Sequence, residues 1–148
     1  MPSLYELFGY VVDPVTNLGG PFYEFSYYRQ FIHKTGVWTK IPLAPFTAFL
    51  RWARGFLFIA FYVISFENGF EPIEAADPSF MDRSYSYKVL FYFISAKAVR
   101  AKYYSMFMFQ SGNLAASGLS YSGTKDGKET WDTIVPVRVL GVELSQNF

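Results

Sequence analysis

The sequence has no cysteine and a single histidine, His33. The absence of cysteine excludes disulfide scaffolds, cysteine-based zinc sites and thiol nucleophiles. One imidazole is too few for a histidine metal cluster, so we expect no metal site. No carboxylate lies near His33 in the sequence, and we expect this side chain to be exposed rather than to act as a catalytic base.

Charged residues are also scarce, since they make up 17% of the 148 residues, against about 25% in ordinary soluble domains. The formal net charge is +1, which argues against a nucleic-acid-binding protein because recognition of a phosphate backbone needs a basic surface. Aromatic residues, in contrast, reach 22%, and a chain with so many of them and so little charge is not disordered. The length predicts a single domain over residues 1–148.

The charges that are present occur in blocks of one sign. All charged residues in positions 29–54 are basic, all in positions 67–82 are acidic, and all in positions 83–102 are basic again. An apolar segment, residues 46–66, spans the boundary between the first two blocks, and as a helix it is long enough to cross a hydrocarbon core of about 30 Å. Arg51 and Arg54 lie near one end of this segment, and we expect both side chains to extend to the lipid headgroups.

Two further segments complete the predicted membrane region. Residues 84–97 surround the run VLFYFI and are apolar on all sides, unlike a surface helix of a soluble domain. Residues 103–124 carry no charge but contain many small and polar side chains, which are typical of helix-packing faces and water-lined cavities. These features predict an all-α, multi-pass membrane protein, with a soluble, aromatic-rich helical domain as the alternative.

Local signals predict the ends of the first helices. Ser3 and Glu6 have the spacing of a capping box at the start of a first helix. Ser26 is expected to cap a second helix that ends at His33.

Proline and glycine predict the remaining boundaries. Pro45 precedes the long apolar helix, and residues 68–69, Asn-Gly, close it. Pro72 and Pro78 are expected to hold the acidic segment open as a loop. Residues 123–127, GTKDG, resemble a tight turn within a loop-like tail.

The run Arg-Ala-Lys-Tyr-Tyr at residues 100–104 is the first candidate binding site. It places two cations and two phenols where the apolar segment meets the uncharged one, and such groups bind phosphate at a membrane interface. The same residues also suit an interfacial anchor that binds no ligand, so both interpretations stay open.

Several motifs together resemble one known family. They are RAKYYSMFMFQSGNLAASGLSYSG at residues 100–123, GKETWD at residues 127–132 and LGVELSQNF at residues 140–148, with MPSLYELFGYV and LGGPFYEFSYYRQFI upstream of them. In this order they resemble the membrane-bound O-acyltransferases, and in particular the lysophospholipid acyltransferases of the fungal type. The resemblance spans nearly the whole chain and is weakest over residues 36–82.

The resemblance implies a partial bundle of the membrane-bound O-acyltransferase fold, in an integral membrane protein of the endoplasmic reticulum. It implies transfer of an acyl group from acyl-CoA, as co-substrate and without any further cofactor, to the hydroxyl of a lysophospholipid. The family's catalytic histidine and asparagine are expected downstream of Phe148, so no catalytic residue is assigned and activity is not expected from residues 1–148 alone. The expected substrate-binding residues are Arg100, Lys102, Tyr103, Tyr104, Ser111, Asn113 and Tyr121, with Gly112 and Gly118 in close helix packing.

Two positions depart from the family pattern. Phe107 stands where a tryptophan is usual, and Ser111 stands where an acidic residue is common before Gly112. The main alternative to an enzyme is a noncatalytic multi-pass membrane protein that packs against partner helices or binds lipid.

Overall fold

The computed structural model describes residues 2–13 and 23–134, together with Val139 and Glu143. Within these residues the chain is 69% helical with almost no strand, and the all-α prediction is confirmed. The two strands found there form one short hairpin.

Two helices of the described residues, α1 (Leu4–Val11) and α2 (Phe25–Ile32), are short. The capping box of α1 is confirmed: the Ser3 hydroxyl accepts a hydrogen bond from the Glu6 backbone N–H at 3.2 Å, and the Ser3 N–H donates to the Glu6 carboxylate at 2.7 Å. The predicted Ser26 cap is wrong. Helix α2 begins two residues earlier than a Ser26 cap implies, with Glu24 at the N-cap position, and the Ser26 hydroxyl donates to the Glu24 carboxylate instead.

The long apolar helix is α3 (Pro45–Glu67), and it begins and ends where the sequence predicts. Proline is favoured at the first helical position because its missing N–H has no partner there. Beyond the helix, Gly69 has a φ of +79°, a conformation that glycine adopts without strain. The stretch Pro45–Ala76 is long and apolar enough to cross a membrane, and 11% of its most apolar window is buried. It is the one such stretch among the described residues.

The acidic segment is not an open loop. Pro72 begins a 3₁₀ helix, Pro72–Ala76, and Pro78 begins a short helix, α4 (Pro78–Met81). The Asp77 carboxylate accepts a hydrogen bond from the Ser79 N–H at 2.8 Å and caps α4. The prediction of an open loop failed because both prolines stand at the first position of a helix. There the proline ring fixes φ at a value that suits the helix.

The apolar residues 84–97 and most of the uncharged residues 103–124 belong to one helix, α5 (Tyr85–Ser117), rather than to two segments. No proline or glycine interrupts residues 85–111, so nothing in the sequence breaks the helix there. The helix ends before Gly118, whose φ is +86°. The uncharged stretch therefore finishes outside the helix.

A hairpin follows, with β1 (Gly123–Lys125) antiparallel to β2 (Lys128–Thr130). Asp126 and Gly127 connect the strands with φ values of +52° and +73°. Two positive φ values are the signature of a type I′ turn, so the predicted tight turn is confirmed.

The chain divides into two compact units. The first unit contains Met1–Ala53 and Phe107–Phe148, and the second contains Arg54–Met106. In the first unit, Trp38, Ala48, Ala115, Tyr121 and Trp131 form one buried cluster, and Tyr23, Leu114, Leu119 and Ile134 form another. In the second unit, Phe80 and Phe91 pack edge to face with ring centroids 4.8 Å apart. The expectation that residues 1–148 are a single membrane-embedded fragment of a larger acyltransferase domain, which the family resemblance implies, stays a prediction.

Candidate functional site

Arg51 forms a polar centre in the first unit. Its guanidinium Nη1 donates to the carbonyl oxygen of Ser111 at 3.0 Å and to the Ser111 hydroxyl at 2.9 Å, and Nη2 donates to the carbonyl oxygen of Trp131 at 2.6 Å. The expectation that Arg51 extends to lipid headgroups is therefore wrong. Three oxygen acceptors within the protein satisfy the charged donor, as expected for an arginine on an apolar helix.

Two neighbours of Ser111 contact Trp52. The indole Nε1 of Trp52 donates to Oδ1 of Asn113 at 3.2 Å. A Cβ added to Gly112 would lie 2.3 Å from the Trp52 ring, so glycine is required for this close approach. The predicted close packing at Gly112 thus has a specific partner.

Tyr121 is buried beside the same centre. Its ring lies 5.1 Å from that of Trp131, and its hydroxyl is 3.3 Å from the hydroxyl of Thr124. Ser111, Asn113 and Tyr121, which the sequence assigned to one site, thus lie in one unit around α3 and α5. Arg51 was missed as the partner of Ser111, although a charge on an otherwise apolar helix is a signal for a polar contact within the protein.

Three buried polar atoms of the first unit have no hydrogen-bond partner among the described residues: Nε1 of Trp38, Oε1 of Gln110 and Oγ of Ser120. A buried polar group left unpaired costs about 1–3 kcal/mol. These atoms mark positions in the first unit where a polar partner would stabilise the protein.

The run at residues 100–104 lies in the second unit. Tyr104 is buried, with its ring 5.7 Å from that of Phe58. Lys102 is exposed, and its Nζ lies 5.8 Å from the centre of the Tyr62 ring.

Arg100 and Tyr103 are also exposed, Tyr103 by 56%. They are three residues apart and share a face of α5, whereas Lys102 lies about 200° around the helix from Arg100. The four residues therefore do not present a single face, and Tyr104 serves the packing of the helix.

His33 pairs with a carboxylate that is distant in the sequence. Its Nε2 lies 2.7 Å from Oε1 of Glu6, and Nε of Arg29 lies 3.9 Å from the same oxygen. Hydrogen bonds to the Glu6 carboxylate from the Ser3 backbone N–H and from His33 lower the pKa of Glu6 from 4.5 to about 2. His33 is exposed, as expected, and its contact joins α1 to α2.

In the described part of the chain no group of three or more histidine, aspartate or glutamate side chains is arranged to hold a metal ion.

Three curated proteins match almost the whole chain. Lysophospholipid acyltransferases 2 and 1 of Arabidopsis thaliana are 27% and 28% identical to it over 156 residues, which cover 99% of this chain and 33% of each relative. Lysophospholipid acyltransferase 6 of Drosophila melanogaster is 27% identical over 164 residues, 99% of this chain and 23% of the relative. The chain matches a segment of the lysophospholipid acyltransferases. No family model matches it, and no solved structure does.

The similarity to lysophospholipid acyltransferases confirms the family resemblance of the sequence motifs. The chain spans one third or less of the length of these relatives. Together with the exposed apolar helix α3, the similarity points to a membrane protein.

Proposed function

We propose that this chain is part of an acyltransferase that moves an acyl group from acyl-CoA to the hydroxyl of a lysophospholipid, at the endoplasmic reticulum. The observation that carries this proposal is the similarity of 99% of the chain to three lysophospholipid acyltransferases. In the reaction the lysolipid oxygen attacks the thioester carbonyl, a carbon–oxygen bond forms, the carbon–sulfur bond breaks, and a general base takes the hydroxyl proton. That base and its asparagine partner are expected outside residues 1–148, and the described residues bind and support the substrates.

Lys102 is the strongest candidate for binding a phosphate-bearing substrate. Its ammonium group is exposed, rests against the Tyr62 ring and has no carboxylate within ion-pair distance among the described residues. An ammonium group held by a ring face keeps its N–H donors for a phosphate oxygen. Arg100 and Tyr103 lie on another face of α5, where they offer a second contact to a phosphate group.

The first unit supplies a second, separate set of candidates for contact with the substrates. Ser111 and Asn113 are held in place by Arg51 and Trp52, and Tyr121 is fixed by Trp131. Side chains held in this way are preorganised, which helps to orient a bound substrate.

The test is an acyl-transfer assay on membranes that contain the complete protein carrying this segment, with acyl-CoA and a lysophospholipid as substrates. We expect transfer, and we expect Lys102→Gln to raise the KM for a phosphate-bearing substrate by about tenfold with little change in kcat, since a charge-assisted hydrogen bond is worth about 1.5–3 kcal/mol. Lys128→Gln, an exposed change in the hairpin, is the matched control.

Tyr62→Leu should imitate Lys102→Gln, and Tyr62→Phe should not, because phenylalanine keeps the ring face. Unchanged constants in Lys102→Gln, at equal protein abundance, would show that Lys102 is only an anchor. Absence of any transfer by abundant, folded protein would favour the noncatalytic alternative.

A further inference from the structure

One face of α1 is apolar and exposed. Leu4, Leu7 and Phe8 lie within about 100° of one another around this helix, and Tyr5 flanks them. Their exposed fractions run from 47% for Leu7 to 89% for Tyr5. A helix on the surface of a soluble domain turns its apolar side chains inward, so α1 has the reverse arrangement. A continuous exposed apolar face of this kind indicates an interaction surface.

The opposite face of α1 packs against α2. Oε1 of Glu6 lies 2.7 Å from Nε2 of His33. The Tyr10 ring packs against that of Tyr28, with centroids 5.6 Å apart, and a Cβ added to Gly9 would clash with the Tyr28 hydroxyl. The three contacting residues of α1 also lie within about 100° of one another, on the side away from the apolar residues. These contacts therefore fix the direction of the apolar face, which points away from α2.

A charged layer lies where the two helices meet. Besides His33, the Arg29 side chain approaches Glu6, with Nε 3.9 Å from Oε1. The side chains of Arg29 and His33 keep exposed fractions of 45% and 53%, and Lys34 beside them is exposed. Across this pair of helices the surface therefore changes from apolar, on the outer face of α1, to basic, on α2.

We propose that α1 lies in the interface of a phospholipid bilayer, with its apolar face among the acyl chains. An interfacial helix inserts its apolar face about 5–10 Å into the boundary between headgroups and acyl chains, and it is accompanied by basic side chains on the polar side. Here α2 supplies these side chains, and Arg29 and His33 lie at the level of the headgroup phosphates. The eight residues of α1 rise only about 12 Å, so the helix lies along the interface and does not cross a hydrocarbon core of about 30 Å.

The chemistry of this face favours lipid over a protein partner. A specific protein interface carries about one hydrogen bond per 100–200 Å², whereas among Leu4, Tyr5, Leu7 and Phe8 only the tyrosine has a polar group. Tyrosine is also a residue that is enriched where a bilayer meets water. Because α3 is long and apolar enough to cross a membrane, the same chain brings a bilayer within reach. This placement of α1 needs no substrate, so it does not rest on the proposed function.

Spin labels on single cysteines measure the depth of each face, and residues 1–148 contain no cysteine that would compete for the label. The complete protein that carries this segment, with any cysteine elsewhere replaced by serine, is reconstituted into phosphatidylcholine vesicles. Collisions of the label with oxygen, which concentrates in hydrocarbon, are compared with collisions with a water-soluble nickel chelate. We expect the labels in Leu4→Cys and Phe8→Cys to collide more often with oxygen and to lie about 5–10 Å below the phosphates.

The matched controls are Ser26→Cys and Gln30→Cys, at exposed polar positions one turn apart on α2. Their labels should collide more often with the nickel chelate. They should also lie shallower than the α1 labels by at least about 8–10 Å, the distance between the axes of packed helices. Tyr5→Cys is a third position on the apolar face and replaces either α1 variant that does not fold, as circular dichroism shows.

Three results would overturn the proposal. Frequent collisions of the α1 labels with the nickel chelate would place this face in water. Rare collisions with both reagents, together with an immobilised label, would show that protein covers it, either another segment of the complete protein or a partner. Equal depths for the α1 and α2 labels would contradict the orientation that the contacts of Glu6 and Tyr10 define.

Discussion

Replacement of Arg51 by methionine is expected to destabilise the first unit strongly. The change removes three hydrogen bonds, to the carbonyl and hydroxyl oxygens of Ser111 and to the carbonyl oxygen of Trp131. Each bond from a charged donor is worth about 1.5–3 kcal/mol, but three bonds made by one side chain do not add fully. Breaking a fully buried charged contact costs about 3–5 kcal/mol, and because the Arg51 contact is half-buried we expect the free energy of unfolding to fall by about 2–3 kcal/mol.

Two milder changes should give a graded series. Arg51→Lys keeps the charge but loses the planar fork that reaches both Ser111 and Trp131. It should therefore lower the free energy of unfolding by about half as much as Arg51→Met does. Ser111→Ala removes one acceptor and leaves the carbonyl, so it should cost about 1 kcal/mol. The control is Arg54→Met, one turn further along α3, where the side chain is exposed and the change should stay within about 0.5 kcal/mol.

The assay is unfolding by heat and by denaturant in mild detergent, followed through tryptophan fluorescence. Trp131 accepts one of the Arg51 bonds, so its surroundings should change as the contact breaks. If Arg51→Met and Arg54→Met had equal effects, Arg51 would be acting as an interfacial charge and the reasoning from its hydrogen bonds would be refuted.

Three further changes test close packing and capping. Gly112→Ala places a methyl group 2.3 Å from the Trp52 ring, so it should cost about 1–3 kcal/mol and shift the near-ultraviolet circular dichroism of the indole. Gly118→Ala forces alanine to a φ of +86°, and thermal unfolding should show a loss of about 1–2 kcal/mol. Glu6→Gln should lower the Tm at neutral pH. The pKa of Glu6 is lowered from 4.5 to about 2, chiefly by the Ser3 backbone N–H, so this carboxylate stabilises the fold fully above about pH 4.5, and the difference in Tm from the wild type should shrink steadily as the pH falls from 4.5 to 2. A difference in Tm as large at pH 2 as at pH 7 would contradict the capping argument.

Features that depend on neighbouring residues were predicted well from the sequence. The capping box at Ser3, the start of α3 at Pro45 and the tight turn at residues 123–127 are all confirmed. Each depends on backbone preferences within a few residues, so the local sequence determines it. Pro72 and Pro78 show the limit of such rules, because proline both starts helices and interrupts them.

Contacts between distant residues were not predictable. Glu6 and His33 are 27 positions apart, and Arg51 and Ser111 are 60 positions apart. No spacing rule links such pairs, since their meeting depends on how whole helices pack. The assignment of Arg51 to the lipid headgroups failed for this reason: the side chain is long enough to reach them, but three acceptors within the first unit hold it.

The Arg51 contacts also affect how this segment can vary among related sequences. Two of the three acceptors are main-chain carbonyl oxygens, at Ser111 and Trp131, and every amino acid supplies such an oxygen. A new side chain at either position leaves these bonds in place as long as the backbone keeps its path. At position 131 only the main-chain oxygen accepts, so position 51 need not covary with position 131, and methods that detect contacts from paired substitutions would miss that contact.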